Sequence, residues 1–310
     1  MIPLSVVISA RAGLSRCLGL DFFLAGADAG LFELIVVDGA EDAKEHRHSG
    51  LRHLLLPGAS VFELRRAGLS NASKDWILLT EEHCRPLSNL LDAYRNAIQK
   101  NPEVDLISGA VTNDTSSTPW GWASFLIFRH DFWPASGKTP GQPTISNLII
   151  RKAAILESEL ASEGAFDCAT IPRLARSGRY MHCRDAVEDH VDHHSTCLHA
   201  LITNFHSARA GAALARRTAP WGARALLIRI VAVPVNRILA VPARVMYDVR
   251  GTSQGRWSLL PRLMALGLAS ACGPCSARAA LFLSLCPPSK VVMAADTCES
   301  SAIACDSFSS

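Results

Sequence analysis

Residues Leu4–Ala10 (LSVVISA) form a short apolar run rich in β-branched side chains. The same pattern returns at Glu33–Val37, Arg52–Leu56, Asp75–Leu79, Val104–Val111 and Ile145–Ile150. Runs of this length and composition predict buried strands. The segments between them carry helical spacing. Arg16–Ala25 is one, with Leu14, Leu18 and Leu24 placed along one face. Val61–Ala72, Ser88–Lys100, Lys152–Leu160 and Ile171–Ser177 follow, the last stopped by Gly178. Pro86 falls where the Ser88–Lys100 helix is about to begin. Strands alternating with helices predict an α/β domain layered around a mainly parallel sheet. Ligands of such sheets bind beyond the carboxyl ends of the strands. That rule selects Asp38 after the second strand and Glu81–His83 after the fourth. Ser116–Pro143, rich in Trp, Pro, Gly and Ser, interrupts the alternation and reads as a long functional loop.

The 310 residues, 49% hydrophobic and 19% charged, exclude wholesale disorder and suffice for a real core. The formal net charge of +3 conceals a division. Residues 1–206 hold 19 Lys and Arg against 24 Asp and Glu. Residues 207–290 hold 12 against the single acid Asp248, and residues 291–310 hold three acids and no base. The chain therefore has an acidic front, a basic apolar back and a short acidic tail.

Pro220, Pro234, Pro242 and Pro261 cut the back into short pieces. Its longest uncharged run, Leu263–Ala277, has 15 residues, short of the roughly 18–20 that a spanning helix needs. Short apolar helices interrupted by arginines such as Arg224, Arg229, Arg237 and Arg244 read as a surface lying on anionic lipid. The plainer alternative is a pair of amphipathic helices with arginines facing water. No nucleic-acid partner is expected, because aromatic content is 6% and no reading module is visible. Ten scattered cysteines do not form a disulfide framework, and no signal-peptide pattern follows Met1. The expected setting is cytoplasmic, peripheral on the inner face of the membrane.

Taken in order, LSVVISA, ELIVVDGAED and LRRAGLSNASKDWILLTEEHCRP resemble the inverting glycosyltransferases of family 2, which have the GT-A fold. The resemblance covers about residues 3–211. It rests on Asp38 closing the second strand, Arg65 three residues before Gly68, Ala72, Glu81-Glu82-His83 where the family has Asp-x-Asp, and Pro86 beyond it. Asp167, Arg173 and Gly178 keep a second family spacing. Both outer aspartates of Asp-x-Asp are replaced, Lys74 stands where Gly is usual, and Phe166 where Glu is usual. Glu81–Cys84 is similar to a subgroup with a Glu-Asp-His-Cys-like motif.

The resemblance implies a GT-A-like domain over residues 1–211, and the charge pattern adds a basic amphipathic helical membrane-associating region over 212–290 and an acidic, disordered tail over 291–310. It implies transfer of a sugar from a nucleotide-diphosphate donor to a glycan or lipid-linked acceptor, assisted by a divalent cation, Mn²⁺ or Mg²⁺. In the family's arrangement Asp38 lies by the base and ribose, Arg65 by the diphosphate, and Glu81 and His83 at the cation. His190 or His193 would complete the cation's shell. Asp167 is the first candidate for the base that takes the acceptor's proton, and Glu163 the second. Each residue also has a plain structural explanation: Asp38 in an Asp-Gly turn, Arg65 on a solvated helix, and Asp167 and Glu163 at a helix N-terminus. The histidines from His182 to His206 have one too, as part of a polar helix and loop surface.

Overall fold

A computed structural model describes residues 2–113, 118–134, 139–160 and 166–191, and beyond these 198, 201, 242–243, 246, 260–266 and 268. Its strands are β1 (Leu4–Ala10), β2 (Glu33–Asp38), β3 (Leu51–Leu55), β4 (Trp76–Glu81), β5 (Cys84–Pro86), β6 (Leu106–Asn113), β7 (Asn147–Arg151) and β8 (Tyr180–His190). They form one sheet in the order β3-β2-β1-β4-β7-β6-β8-β5. β3, β2, β1 and β4 are parallel. β7 runs against both β4 and β6, β8 is parallel to β6, and β5 returns antiparallel along β8. The expected mainly parallel α/β sheet is therefore present, with two reversed strands.

Helices cover both faces, which is why the strands read as unbroken apolar runs. Alternate residues of each strand belong to different cores. Val6, Ile8, Leu34 and Leu78 pack with Phe23 of α1 (Leu20–Asp28) and with Leu90 and Tyr94 of α3 (Leu90–Lys100). Val7, Ile35, Ile77 and Leu79 pack with Leu64 and Leu69 of α2 (Val61–Asn71) and, past α5 (Glu157–Leu160), with Ile171 and Leu174 of α6 (Ile171–Arg176).

α2 begins at a capping box. Ser60 Oγ accepts from the Glu63 amide and Glu63 Oε2 accepts from the Ser60 amide, satisfying two helix-end donors. One turn further on, Gly68 lies so close to β1 that a Cβ there would come within 2.2 Å of Val7 Cγ1. That approach brings Arg65, three residues earlier, under the sheet edge. Gly68→Ala is expected to lower the unfolding free energy by about 1–3 kcal/mol through overpacking, measured as a drop in urea midpoint at unchanged slope.

Four expectations are corrected. The first helix starts at Leu20, not Arg16. Residues 11–18 are instead drawn into a loop by the Leu14 amide bonding Asp38 and the Leu18 amide bonding the Glu82 carbonyl. Ser116–Pro143 is not all loop. It contains α4 (Pro119–Arg129), capped by Thr118, whose Oγ1 accepts from the Gly121 amide, and carrying Pro119 in its first turn. Lys152–Leu160 is a 3₁₀ turn followed by the single-turn α5, not one helix. The start of the His-rich stretch is the strand β8, not a polar helix and loop surface, and Cys84–Pro86 is its partner β5.

The ladder between β6 and β8 shifts register between Gly109 and Ala110. Asn147 fills the break, donating to the carbonyls of Ala110 (2.8 Å) and Ala186 (3.0 Å) while accepting from the Tyr94 hydroxyl. Such irregularities re-aim the strand beyond them, and the part of β8 beyond this one carries Glu188 and His190. Of the basic back, residues 260–266 are helical. Leu263 and Leu266 are buried together with Phe125 and Leu126 of α4. Arg224, Arg229, Arg237 and Arg244, the 291–310 tail, Glu163 and His193 lie outside the described residues. Within those residues no helix is long and apolar enough to cross a membrane.

Candidate functional site

β1 is flanked by β2 and β4 in a register that pairs Ala10 with Asp38 and Ser9 with Glu81. Both acidic tips therefore emerge at one edge of the sheet, about 10 Å apart across two strand spacings. The Asp38 carboxylate is buried and engaged by the protein. Oδ2 accepts from the Leu14 amide (2.9 Å), Oδ1 accepts from the Ala40 amide (3.0 Å), and His53 Nε2 lies 3.3 Å from Oδ2. Asp38 thus ties the loop after β1 to β3. His53, whose side chain is 2% exposed, carries no motif that marks it in the sequence.

Glu81, Glu82, His83 and Cys84 form the turn between β4 and β5. β5 pairs with β8 so that Cys84 faces His190, and the His83 carbonyl accepts from the Val191 amide. Directly opposed antiparallel residues bring their side chains together. His83 Nε2 lies 2.8 Å from His190 Nε2 and 3.2 Å from Glu81 Oε2, and His190 Nε2 lies 3.9 Å from that same oxygen. Two ring nitrogens at 2.8 Å require one to donate and the other to accept. Cys84 Sγ completes the group, and all four candidate ligand atoms lie within 4.8 Å of one another. Burial disfavours a charged His83. Hydrogen bonds and charge from Glu81 and Glu82 outweigh it and push the ring up to about 10. Burial likewise opposes the Glu81 carboxylate, yet the His83 hydrogen bond and the Arg65 charge hold it well below the usual range.

Arg65 is buried and forks between two carboxylates. Its Nη2 donates to Glu81 Oε1, and its Nη1 donates to Asp167 Oδ1 at 2.6 Å. Asp167 lies in a π-helical turn, Phe166–Thr170, that leads into α6. Its Oδ2 is buried with no hydrogen-bond partner among the described residues. Burial pushes the Asp167 carboxyl up, against the pull of Arg65. Behind the cluster lies Glu188, fully buried and accepting from Thr80 Oγ1 at 3.0 Å. Burial raises its carboxyl to about 8.

The structure therefore brings Glu81, His83, His190, Arg65 and Asp167 together and sets Asp38 beside them. Glu188 is a further member that sequence reasoning did not single out, and Cys84, noted only as part of the Glu81–Cys84 motif, is another. Arg173 and Gly178 belong to local structure instead. Arg173 pairs with Glu159 at 2.8–2.9 Å and so joins α5 to α6. Gly178, at φ +75°, ends α6 in the left-handed region that favours glycine.

His182, on the same strand, does not reach the cluster. Its Nδ1 lies 3.2 Å from Ser108 Oγ. Partial burial, helped by the Arg184 charge, holds it down to about 4. The folded state therefore favours the neutral ring. Its contribution is fully present above the unfolded value near 6.5 and is lost as pH falls through 4. Allowing for solvent screening, about 1–2 kcal/mol is at stake. His182→Gln is expected to flatten the pH dependence of the urea midpoint between pH 6.5 and 4 by that amount.

No protein-family model and no curated protein matches the chain. Among solved structures, similar ones are "Crystal structure of S. aureus TarS" (13% identity, TM-score 0.44), TarS residues 1–349 (14%, 0.44) and TarS 1–349 in complex with UDP (13%, 0.43). The match covers 89% of this chain and 55% of the first, and 90% of this chain and 92% of the other two. At that identity and overlap the likeness bears on neither chemistry nor substrate.

Proposed function

We propose that the chain is a glycosyltransferase that moves a sugar from a nucleotide-diphosphate donor, with inversion, at the edge formed by β1, β2, β4 and β8. The observation that carries this reading is the linkage of two half-sites through one guanidinium. On one side Glu81 Oε2, His83 and His190 offer ligands for a divalent cation. On the other Asp167 presents an oxygen with no hydrogen-bond partner among the described residues. The donor set of carboxylate and imidazoles fits a divalent cation, which when bound would neutralise charge on a leaving diphosphate. Asp167 Oδ2 takes the proton of the acceptor hydroxyl, and Arg65 holds Asp167 at a fixed offset from Glu81. The resemblance of residues 3–211 to inverting family 2 enzymes of GT-A fold supports the same reading.

We read the acceptor as a glycan, lipid-linked or close to the membrane, because the 12 basic residues of 207–290 suit an anionic surface. One observation favours a second reading, a non-catalytic relative serving as a membrane-associated scaffold. Asp38 and Glu81 already have their oxygens engaged within the protein.

Calorimetric titration with UDP, GDP and dTDP, with and without Mn²⁺, separates the two, alongside turnover over a panel of nucleotide sugars. Cation-dependent binding of one nucleotide is the expected result. Absence of both binding and turnover sinks the enzyme.

A further inference from the structure

We propose that Glu81, His83, Cys84 and His190 form a four-ligand site for a borderline cation of the zinc class, with Cys84 as a thiolate ligand. The inference deepens the cation half of the proposed function. It holds whether or not a nucleotide sugar is the substrate.

A site for Mg²⁺ supplies oxygen almost exclusively, in near-octahedral array. Here a single carboxylate oxygen is on offer, because Arg65 holds Glu81 Oε1 and leaves Oε2 to face the histidines. The other three donors are two imidazole nitrogens and a sulfur. For such a mixture of nitrogen and sulfur, affinity along the first-row divalent ions favours zinc over manganese.

Spacing points the same way. Bonds of roughly 2.0–2.3 Å in a tetrahedron put neighbouring ligand atoms about 3.3–3.7 Å apart. The observed separations of 2.8, 3.2 and 3.9 Å between Glu81, His83 and His190 bracket that range. Cys84 Sγ lies within 4.8 Å of the other three, so modest side-chain rotation suffices.

The backbone then explains why Cys84 belongs to the site. It is the cross-strand partner of His190 and closes the turn that Glu81 opens. Two of the ligands are therefore fixed by one β-ladder and two by one turn. Cys84 is buried, whereas Cys17 and Cys183 are half-buried. On ligation the thiol proton and the proton shared by the two rings pass to solvent.

The test uses the full-length chain, with Zn²⁺, Mn²⁺ and Co²⁺ added one at a time to chelator-treated protein. Competition against a chromophoric chelator is expected to rank Zn²⁺ well above Mn²⁺. Co²⁺ is expected to give a tetrahedral visible spectrum with a thiolate-to-metal charge-transfer band. Cys84→Ser should abolish that band and weaken Zn²⁺ by at least about 100-fold, the upper end of what losing even an outer partner costs. Cys17→Ser and Cys183→Ser should change neither. If Cys84→Ser does not fold, loss of the band in His190→Gln carries the same information.

Tight binding of Co²⁺ without the band, or Zn²⁺ affinity unchanged in Cys84→Ser, overturns the assignment and leaves the harder-cation reading in place. No binding of any cation overturns both. A Cys84-dependent zinc site in a chain that binds no nucleotide upholds this inference and removes the transferase.

Discussion

Replacing Arg65 by methionine is expected to lower the unfolding free energy by about 3–5 kcal/mol, the cost of breaking a buried ion pair by removing one partner. Methionine keeps an apolar stem in place of the arginine stem, so the loss is chiefly that of the guanidinium. It arises because Glu81 and Asp167, with side chains 12% and 5% exposed, are left facing each other without the cation between them. Glu81 retains His83 at 3.2 Å, so the larger share of the penalty falls on Asp167. Its charged partner among the described residues is Arg65, and burial already raises its carboxyl. Arg65→Lys should recover little, because an ammonium cannot bond two carboxylates from one planar fork. Urea unfolding of Arg65→Met, Asp167→Asn and the double variant checks the assignment. The double variant should regain part of the loss, as neutral Asn needs no counter-charge. A loss below about 1 kcal/mol in Arg65→Met would place the guanidinium in solvent, where ion pairs are worth that little.

β1, β2 and β4 are legible in the sequence because both of their faces are buried. Every residue of Leu4–Ala10 must then be apolar or small, and no turn residue interrupts it. β8 is illegible by the same criterion. Glu188 and His190 point into the protein at 0% and 1% exposure, so the alternation is present but written in polar residues. Their burial is tolerated because Thr80 bonds Glu188 and His83 meets His190. α4 was hidden by its tryptophans and glycine, although Thr118-Pro119 is a helix-start signal that could have revealed it.

The cation cluster shows a different limit. Sequence rules for metal sites look for ligands a few residues apart, whereas His83 and His190 are separated by 107 residues. What joins them is an antiparallel pairing with β5, a strand three residues long. Similarity of motif order was enough to name Glu81, His83 and His190 together. Cys84 belonged to the Glu81–Cys84 motif but carried no ligand role there, and that role became visible only once β5 was laid against β8. Asp38 illustrates the reverse case. It was legible as a strand-end carboxylate, but the amides of Leu14 and Ala40 that occupy it depend on how the loop after β1 folds back.

Asp167→Asn is expected to lower turnover by roughly 10²–10⁴-fold, the range for losing a positioned general base, with nucleotide affinity unchanged. The two oxygens of this carboxylate have separate tasks. Oδ1 is fixed by Arg65 at 2.6 Å, and Oδ2 is buried without a partner among the described residues. An anchored carboxylate with one unsatisfied oxygen is poised to accept a proton, since protonation there relieves an unfavourable burial. Its raised proton affinity acts in the same direction and makes it a stronger base than an ordinary aspartate. Because the base must be ionised to work, the rate should fall on the acid side through a value above the usual aspartate pKa of about 3.9. That limb should vanish in Asp167→Asn, whereas a merely structural Asp167 would leave it in place. Asparagine keeps the size of the side chain and still offers Arg65 an acceptor oxygen, so cation and nucleotide binding serve as internal controls. A drop in turnover that is matched by a loss of nucleotide affinity would show that Asp167 holds the donor, and the base would then have to be sought elsewhere, with Glu163 next.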